Sequence, residues 1–226
     1  GNKPAGWSFI DEPGKISFVD TRVVHHGKAS LRMQDVARTD PQHGHARACQ
    51  SLAVQPFHYY HVRAWVKTAD WRGGETRIAV LCAGGVALNY CEPPIEPTQD
   101  WKAVDITFNS LEFDKVNLYL GTWGGKTGTI WWDDLTVEPA GFVNVVRRDG
   151  APLKVAGEDG RTVYVEGKDF ARVVDPKLGR TPWAGEYSAW HEPPKVAIPA
   201  GSRLRPGQKV KVSYYHTALI HWGQVA

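Results

Sequence analysis

The sequence predicts an all-β protein, in which a jelly-roll β-sandwich is followed by a smaller β domain. Short apolar segments alternate with polar residues, and turns rich in glycine and proline separate them at intervals of roughly 8–12 residues. Aromatic residues are frequent, with ten Trp, eight Tyr and seven Phe among 226 residues. No segment shows the apolar period of an amphipathic helix over a useful length. These three observations together indicate a sandwich.

The composition excludes two classes of partner. Charged residues make up 23% of the chain and the formal net charge is +3, so the sequence carries no basic stripe of the kind that binds nucleic acid. Its apolar runs are much shorter than the ~20 residues of a membrane-spanning helix. We therefore expect neither a nucleic-acid partner nor a membrane partner. Hydrophobic residues, at 42%, are sufficient to form a core.

Two segments of the first predicted domain, residues 1–139, alternate most clearly. In Tyr60–Lys67 the apolar residues share one face, and Arg63 and Trp65 lie on the other. In Val116–Leu120 the residues Asn117 and Tyr119 lie opposite three apolar side chains. A second predicted domain, residues 140–226, follows a turn-rich boundary and contains further strand patterns over 142–147, 151–155, 161–166, 171–174, 196–199, 209–215 and 219–225.

The segment Thr129–Val137 predicts a strand that carries two adjacent carboxylates, Asp133 and Asp134. Because side chains alternate along a strand, we expect Asp133 to share the interior face with Leu135. A carboxylate on that face must accept hydrogen bonds or bind a cation. The pattern leaves both interpretations open.

The sequence has three cysteines, Cys49, Cys82 and Cys91, and they leave open whether the protein resides in an oxidising or a reducing compartment. Cys82 and Cys91 are spaced so that they could pair across a hairpin, but spacing alone does not show a disulfide. The same spacing is too long for a zinc knuckle.

Five motifs occur in an order that resembles the jelly-roll carbohydrate-binding modules of the group containing families four, nine and twenty-two. The resemblance covers about residues 5–139, and the motifs are Gly27–Leu31, Tyr60–Lys67, Thr98–Lys102, Leu118–Gly121 and Trp132–Leu135. Some members of this group are structural, so the motifs indicate the fold more strongly than binding.

The resemblance implies two sites. One is a structural calcium held by Asp133 and by main-chain oxygens of the Gly27–Lys28 turn. The other is a concave sheet on which a polysaccharide or oligosaccharide stacks against aromatic rings and accepts hydrogen bonds. His43 stands where the family carries a loop tryptophan. The residues expected on this second site are Tyr90, Tyr119, Trp123, Trp65, Arg63, Asn117 and His43.

Residues 142–225 resemble a β segment that precedes the catalytic barrel of large bacterial glycoside hydrolases. The motifs are Arg148–Pro152, Tyr164–Phe170, His191–Pro194 and Val212–His216. This resemblance implies that the chain is a non-catalytic piece of a longer secreted or extracellular enzyme, with the periplasm as an alternative. Its partner within the parent chain would be a C-terminal catalytic domain.

Two other functions compete with glycan binding. The sandwich could be a purely structural support, with its concave face covered by the second β region. The chain could also be an enzyme itself, because a glycosidase needs two facing carboxyl groups. No motif pairs the candidates, so solvated or strand-end charges are the favoured interpretation of Glu166, Asp169, Asp175, His191 and Glu192. A metal could bind at His25, His26, His43 and His45, but surface loop residues are the favoured interpretation.

Overall fold

The computed structural model describes residues 6–34, 36, 44–72, 74–124, 127–178, 189–217 and 219. The chain divides into two units, of which the first runs to Pro139 and the second begins at Ala140. No α-helix occurs in the described residues, and the prediction of an all-β fold built on a sandwich is confirmed. In the same residues no helix is long and apolar enough to cross a membrane.

The first unit consists of two five-stranded antiparallel sheets. Its strands, in chain order, are β1 (Phe9–Ile10), β2 (Ser17–Asp20), β3 (Ser30–Gln34), β4 (His45–Ala53), β5 (Tyr59–Arg72), β6 (Glu75–Leu81), β7 (Ala87–Cys91), β8 (Gln99–Asn109), β9 (Lys115–Trp123) and β10 (Thr127–Pro139). The first sheet has the order β1-β4-β9-β6-β7, and the second has the order β2-β3-β10-β5-β8. Most consecutive strands from β4 to β10 therefore lie in different sheets.

Side chains on the facing surfaces of the two sheets form one apolar core. Within β9, Val116, Leu118 and Leu120 are each only 1% exposed. Within β5, the predicted alternation is confirmed, because Val62, Ala64 and Val66 are fully buried. Burial of each large aliphatic side chain contributes about 1.5–3 kcal/mol. The outward residues of both strands are consequently fixed in position by the inward ones.

A β-bulge in β10 overturns the expectation that Asp133 shares a face with Leu135. Asp133 is in register with Trp65, whereas Thr136 is in register with Arg63, so one extra residue lies between the two pairs. Asp134 has a φ of 45°, the left-handed conformation that such bulges use. Leu135 packs against the core while Asp133 faces outward. The interior placement of Asp133 was therefore wrong.

All three cysteines are free and buried, so Cys82 and Cys91 do not form the disulfide that their spacing allowed. The Cys82 thiol donates to the carbonyl oxygen of Val86 at 3.2 Å. Burial raises the pKa of Cys82, and it raises the pKa of Cys91 to about 12. Both side chains are therefore neutral thiols at neutral pH.

The second unit has a small three-stranded sheet of order β12-β11-β13, formed by β11 (Lys154–Gly157), β12 (Val163–Tyr164) and β13 (Val210–Ser213). Its core contains Val145, Val155, Tyr164, Phe170 and Val173. The predicted strands over 142–147, 171–174 and 196–199 are not strands in the structure. Of the predicted strand over 219–225, only residue 219 lies within the described residues.

Gly128, at a second shift in the register of β10 with β5, where the extra residue lies on β5, gives a test of the close approach between these strands. Gly128 has a φ of +82°, and a Cβ there would lie 2.2 Å from the carbonyl oxygen of Asp70. We expect Gly128→Ala to lower the free energy of unfolding by about 3 kcal/mol, because backbone atoms cannot move aside cheaply. Urea unfolding followed by tryptophan fluorescence measures the loss.

Gly84→Ala is the matched control for this substitution. Its φ is +74° and its Cβ would meet nothing within 4 Å, so only the conformational cost of about 1 kcal/mol applies. Equal losses in the two variants would contradict the close approach at Gly128.

Candidate functional site

An aromatic row crosses the outer face of the first sheet. Tyr119 on β9 is in register with Cys49 on β4 and with Ala79 on β6. Cys49 is in turn in register with Phe9 on β1, and Ala79 with Tyr90 on β7. Phe9 and Tyr90 are 43% and 41% exposed. Three aromatic rings therefore alternate with two small side chains across five strands.

Trp123 extends this row into a cluster. Its ring centroid lies 6.1 Å from that of Tyr90 and 6.3 Å from that of Tyr119, although Tyr119 is four residues away along β9. Gly121, between them on the same face, has no side chain and a φ of +135°. A Cβ at Gly121 would lie 2.0 Å from the carbonyl oxygen of Ala46. We refer to Phe9, Tyr90, Tyr119 and Trp123 as the aromatic face.

Polar groups accompany the aromatic face. The Ser51 hydroxyl donates to the side-chain oxygen of Asn117 at 2.6 Å, across β4 and β9. Arg47 and Arg77 are each in register with Gly121, one on either side of it. The guanidinium carbon of Arg77 lies 4.2 Å from the ring centroid of Tyr90, and that of Arg47 lies 5.7 Å from the ring of Phe9.

Both arginines are paired with carboxylates. Arg47 donates from Nε to Asp11 Oδ2 at 2.8 Å and from Nη2 to Oδ1 at 3.3 Å. Arg77 donates from Nε and Nη2 to Glu92 Oε1 at 3.0 and 2.6 Å, and its Nη2 lies 2.5 Å from Glu75 Oε2. Two positive and three negative groups therefore flank the aromatic face.

The pKa shifts on this face keep two of its groups in their ordinary protonation states. Burial raises the pKa of Tyr119, and the neighbouring Cys49 raises it further. Burial alone would lower the pKa of Arg77, but the hydrogen bonds to Glu92 and Tyr90 raise it by more. At neutral pH the face consequently presents a neutral phenol and a charged guanidinium.

The prediction placed Arg63 and Trp65 on the same face as Tyr119, and it was wrong. Both residues lie on β5, which belongs to the second sheet. Arg63 Nε donates to Asp105 Oδ1 at 2.7 Å. The Trp65 ring is stacked on that of His25, with centroids 3.9 Å apart. The resemblance placed them on one sheet, and the alternation pattern could not correct this, because strands on either side of the core share it.

Four of the other predicted residues do lie together on the first sheet, namely Tyr90, Asn117, Tyr119 and Trp123. His43 lies outside the described residues. Sequence reasoning missed Phe9, Arg47 and Arg77. The signal for the two arginines was the alternation of β4 and β6, which becomes informative only once the register with Gly121 is known.

Asp133 anchors the loop between β2 and β3. Its Oδ2 accepts hydrogen bonds from the backbone N–H groups of His25 and His26 at 2.8 and 3.3 Å. Its Oδ1 accepts the backbone N–H of Asp134 at 2.8 Å. The Asp134 carboxylate lies 2.6 Å from His25 Nδ1. This is the hydrogen-bonded arrangement that the sequence offered as the alternative to a cation.

The donor set around Asp133 fits calcium poorly. Calcium takes six to eight oxygen ligands, whereas both Asp133 oxygens here accept N–H groups. The predicted partners Gly27 and Lys28 are exposed turn residues. Within the described residues no cluster of three or more His, Cys, Asp or Glu side chains could hold a metal ion. Calcium stays a prediction from the resemblance alone.

In the second unit, two acidic residues predicted to be solvated are buried. Asp169 is fully buried and pairs with Arg203, while Asp175 is 2% exposed and lies 2.8 Å from His191 Nε2. The hydrogen bonds from Arg203 and from the Val165 backbone hold the pKa of Asp169 far below its usual range, although burial opposes them. The prediction of solvated or strand-end charges was wrong for these two carboxylates, which are buried and accept backbone N–H groups.

Comparison with known proteins gives matches only among solved structures. No family model matches the chain, and no curated protein matches it. A family 16 carbohydrate-binding module is 16% identical with a TM-score of 0.42, over 57% of this chain and 89% of that chain. TmCBM61 in complex with β-1,4-galactotriose is 16% identical with a TM-score of 0.43, over 61% and 91%.

A third similar structure is the CBM22-1 xylan-binding domain from Paenibacillus barcinonensis Xyn10C. It is 14% identical with a TM-score of 0.43, over 62% of this chain and 88% of that chain.

The hydrogen bonds of Asp133 generate a stability prediction. We expect Asp133→Ala to lower the free energy of unfolding by about 1–3 kcal/mol, because three backbone N–H groups lose their acceptor. Thermal unfolding in excess EDTA and in excess CaCl2 separates the two interpretations. If Asp133 acts only through hydrogen bonds, the wild type has the same Tm in both buffers. A calcium-dependent rise in Tm that the variant loses would establish the ion instead.

Asp105 generates a prediction about pH. Burial raises its pKa, but hydrogen bonds from His61 and Arg63 lower it by more, so the net pKa is lowered from 3.8. Its contribution to stability is therefore complete above the unfolded pKa and is lost as pH falls through the folded pKa. We expect the stability difference between wild type and Asp105→Asn, about 1–2 kcal/mol at pH 7, to shrink below about pH 4.

Urea unfolding at a series of pH values measures that difference. A stability difference that stays constant down to the lowest pH at which the protein is folded would show that the charge of Asp105 contributes nothing to stability.

Proposed function

We propose that the first unit is a non-catalytic glycan-binding module that holds a polysaccharide across the aromatic face. The observation that carries this proposal is the row in which Phe9, Tyr119 and Tyr90 alternate with the small residues Cys49 and Ala79. Rings separated by small side chains leave room for flat ligand rings to lie between and over them. The C–H faces of pyranose rings are apolar and suit such stacking.

The length of the aromatic row indicates how many sugar rings the ligand has. Adjacent strands are about 4.8 Å apart, so the row from β1 to β7 spans ~19 Å. That length accommodates several consecutive sugar rings, which favours a polysaccharide or oligosaccharide over a single sugar. The ligand would run across the strands, because the exposed aromatic residues follow that direction.

Polar groups beside the rings would fix the orientation of the sugar. Tyr119 has a neutral phenol, which can both donate and accept a hydrogen bond. The Ser51–Asn117 pair borders the row, and its amide nitrogen is a further donor. Hydroxyl groups of a glycan can replace water at these positions without leaving charged groups unpaired.

The context of the module is also a proposal. The resemblance of residues 142–225 to the segment that precedes a catalytic barrel supports a secreted glycoside hydrolase as the parent protein. The first unit would then keep that enzyme on its polymeric substrate. A structural calcium is a separate proposal that rests only on the resemblance of residues 5–139, and the hydrogen bonds that Asp133 already accepts weigh against it.

Affinity electrophoresis through gels that contain soluble polysaccharides tests glycan binding. We expect retardation of the wild type by at least one polysaccharide, and a loss of affinity of at least about tenfold in Tyr119→Ala and in Tyr90→Ala, because each removes a stacking ring. Tyr215→Ala is the matched control, since Tyr215 is 57% exposed and lies in the second unit.

Two outcomes would contradict the proposal. Migration unaffected by every polysaccharide would favour a purely structural sandwich. Undiminished retardation in both Tyr119→Ala and Tyr90→Ala would place binding away from the aromatic face.

A further inference from the structure

We propose that the carboxylates of Asp11, Glu75 and Glu92 are specificity-determining residues that restrict the aromatic face to neutral glycans and reject acidic ones. This inference rests on the proposed glycan-binding function and goes further by naming the class of glycan. Two arginines border the face, and arginine side chains taken by themselves suggest a site for uronate or sulfate groups.

The arginine edges that bind an anionic sugar are already occupied. A carboxylate or sulfate group binds arginine best through two parallel N–H bonds on one edge of the guanidinium. In Arg47, Nε and Nη2 both donate to Asp11. In Arg77, the same two nitrogens donate to Glu92. Arg77 Nη2 also contacts Glu75, which engages the second edge of that guanidinium, Nη1–Nη2, whereas the second edge of Arg47 takes no part in these bonds.

The local charge also opposes an anionic ligand. Arg47 and Arg77 contribute two positive charges, and Asp11, Glu75 and Glu92 contribute three negative charges, so the group carries a net charge of −1. The glutamate side chains are 53% and 47% exposed, so an anionic ligand that approaches the face comes close to both negative charges. Like charges at short range cost binding free energy. A neutral sugar has no such cost, and its hydroxyl groups can donate to the same carboxylates.

The two glutamates lie at strand ends beside the aromatic face. Glu75 is the first residue of β6, and Glu92 directly follows β7. Both side chains are about half exposed and can contact a ligand, and both also pair with the Arg77 side chain, which is only 15% exposed. Asp11 differs, because it also accepts the backbone N–H of Arg47 at 2.9 Å. The test therefore relies first on the two glutamates and uses Asp11 as the second variant.

The experiment compares gels that contain neutral polysaccharides (galactan, arabinoxylan, mixed-linkage β-glucan and galactomannan) with gels that contain polygalacturonate, alginate or carrageenan. The proteins are the wild type, Glu75→Gln/Glu92→Gln and Asp11→Asn. Asp100→Asn is the matched control, since it removes one negative charge beside Lys67 on the second sheet. Thermal unfolding establishes that each variant is folded.

We expect the wild type to be retarded by a neutral glycan and by no acidic one. The double variant should gain affinity for an acidic glycan by about tenfold or more, since it exposes one charge-assisted hydrogen-bonding edge. Added salt should weaken this new binding, whereas wild-type binding to neutral glycan should not depend on salt. The control should behave as the wild type.

Three outcomes would overturn the inference, and they are distinguishable. Retardation of the wild type by an acidic glycan, lost in Tyr119→Ala, would leave glycan binding intact but contradict the selection of neutral glycans. Unchanged selectivity in both the double variant and Asp11→Asn would make the ion pairs structural only. No retardation of any protein on any gel would contradict this inference together with the proposed function.

Discussion

The alternation of side chains along β9 is the constraint on which the candidate site depends. Val116, Leu118 and Leu120 fill the space between the two sheets and are almost completely buried. A slip of one residue would expose all three and bury Asn117 and Tyr119 in their place. The buried residues thus determine that the polar and aromatic residues of β9 face outward. Since β9 is the central strand of the first sheet, its register also positions the aromatic residues of β1 and β7.

The residues that could be predicted are those governed by alternation within one strand. The outward placement of Asn117 and Tyr119 followed from the sequence, and so did the buried face of β5. The strands that form one sheet could not be predicted in the same way. Neighbouring segments such as β4 and β5 alternate alike but lie on opposite sides of the core, because the chain crosses between sheets. Trp65 and Arg63 were therefore misplaced, although their outward orientation was right.

Irregular backbone explains most of the remaining differences. The bulge at Asp134 reverses the alternation of β10, and nothing in the residue types around it requires an extra residue there. In the second unit, strand-forming residues at 142–147 do not form a strand, and Asn144 in this segment has a φ of 56°. Asp175 accepts the Asn144 backbone N–H at 2.7 Å. Long-range bonds of this kind select the backbone conformation and have no local signature in the sequence.

The three buried thiols have a practical consequence. Cys49 lies on β4, Cys82 follows β6, and Cys91 ends β7, so they are distributed across the first sheet. A buried thiol reacts with alkylating agents only after the groups that cover it move away. The native chain thus contains chemical reporters of local opening in the sheet that carries the aromatic face. Mass spectrometry of alkylated peptides can then rank the strands by how often each detaches, without introducing a label.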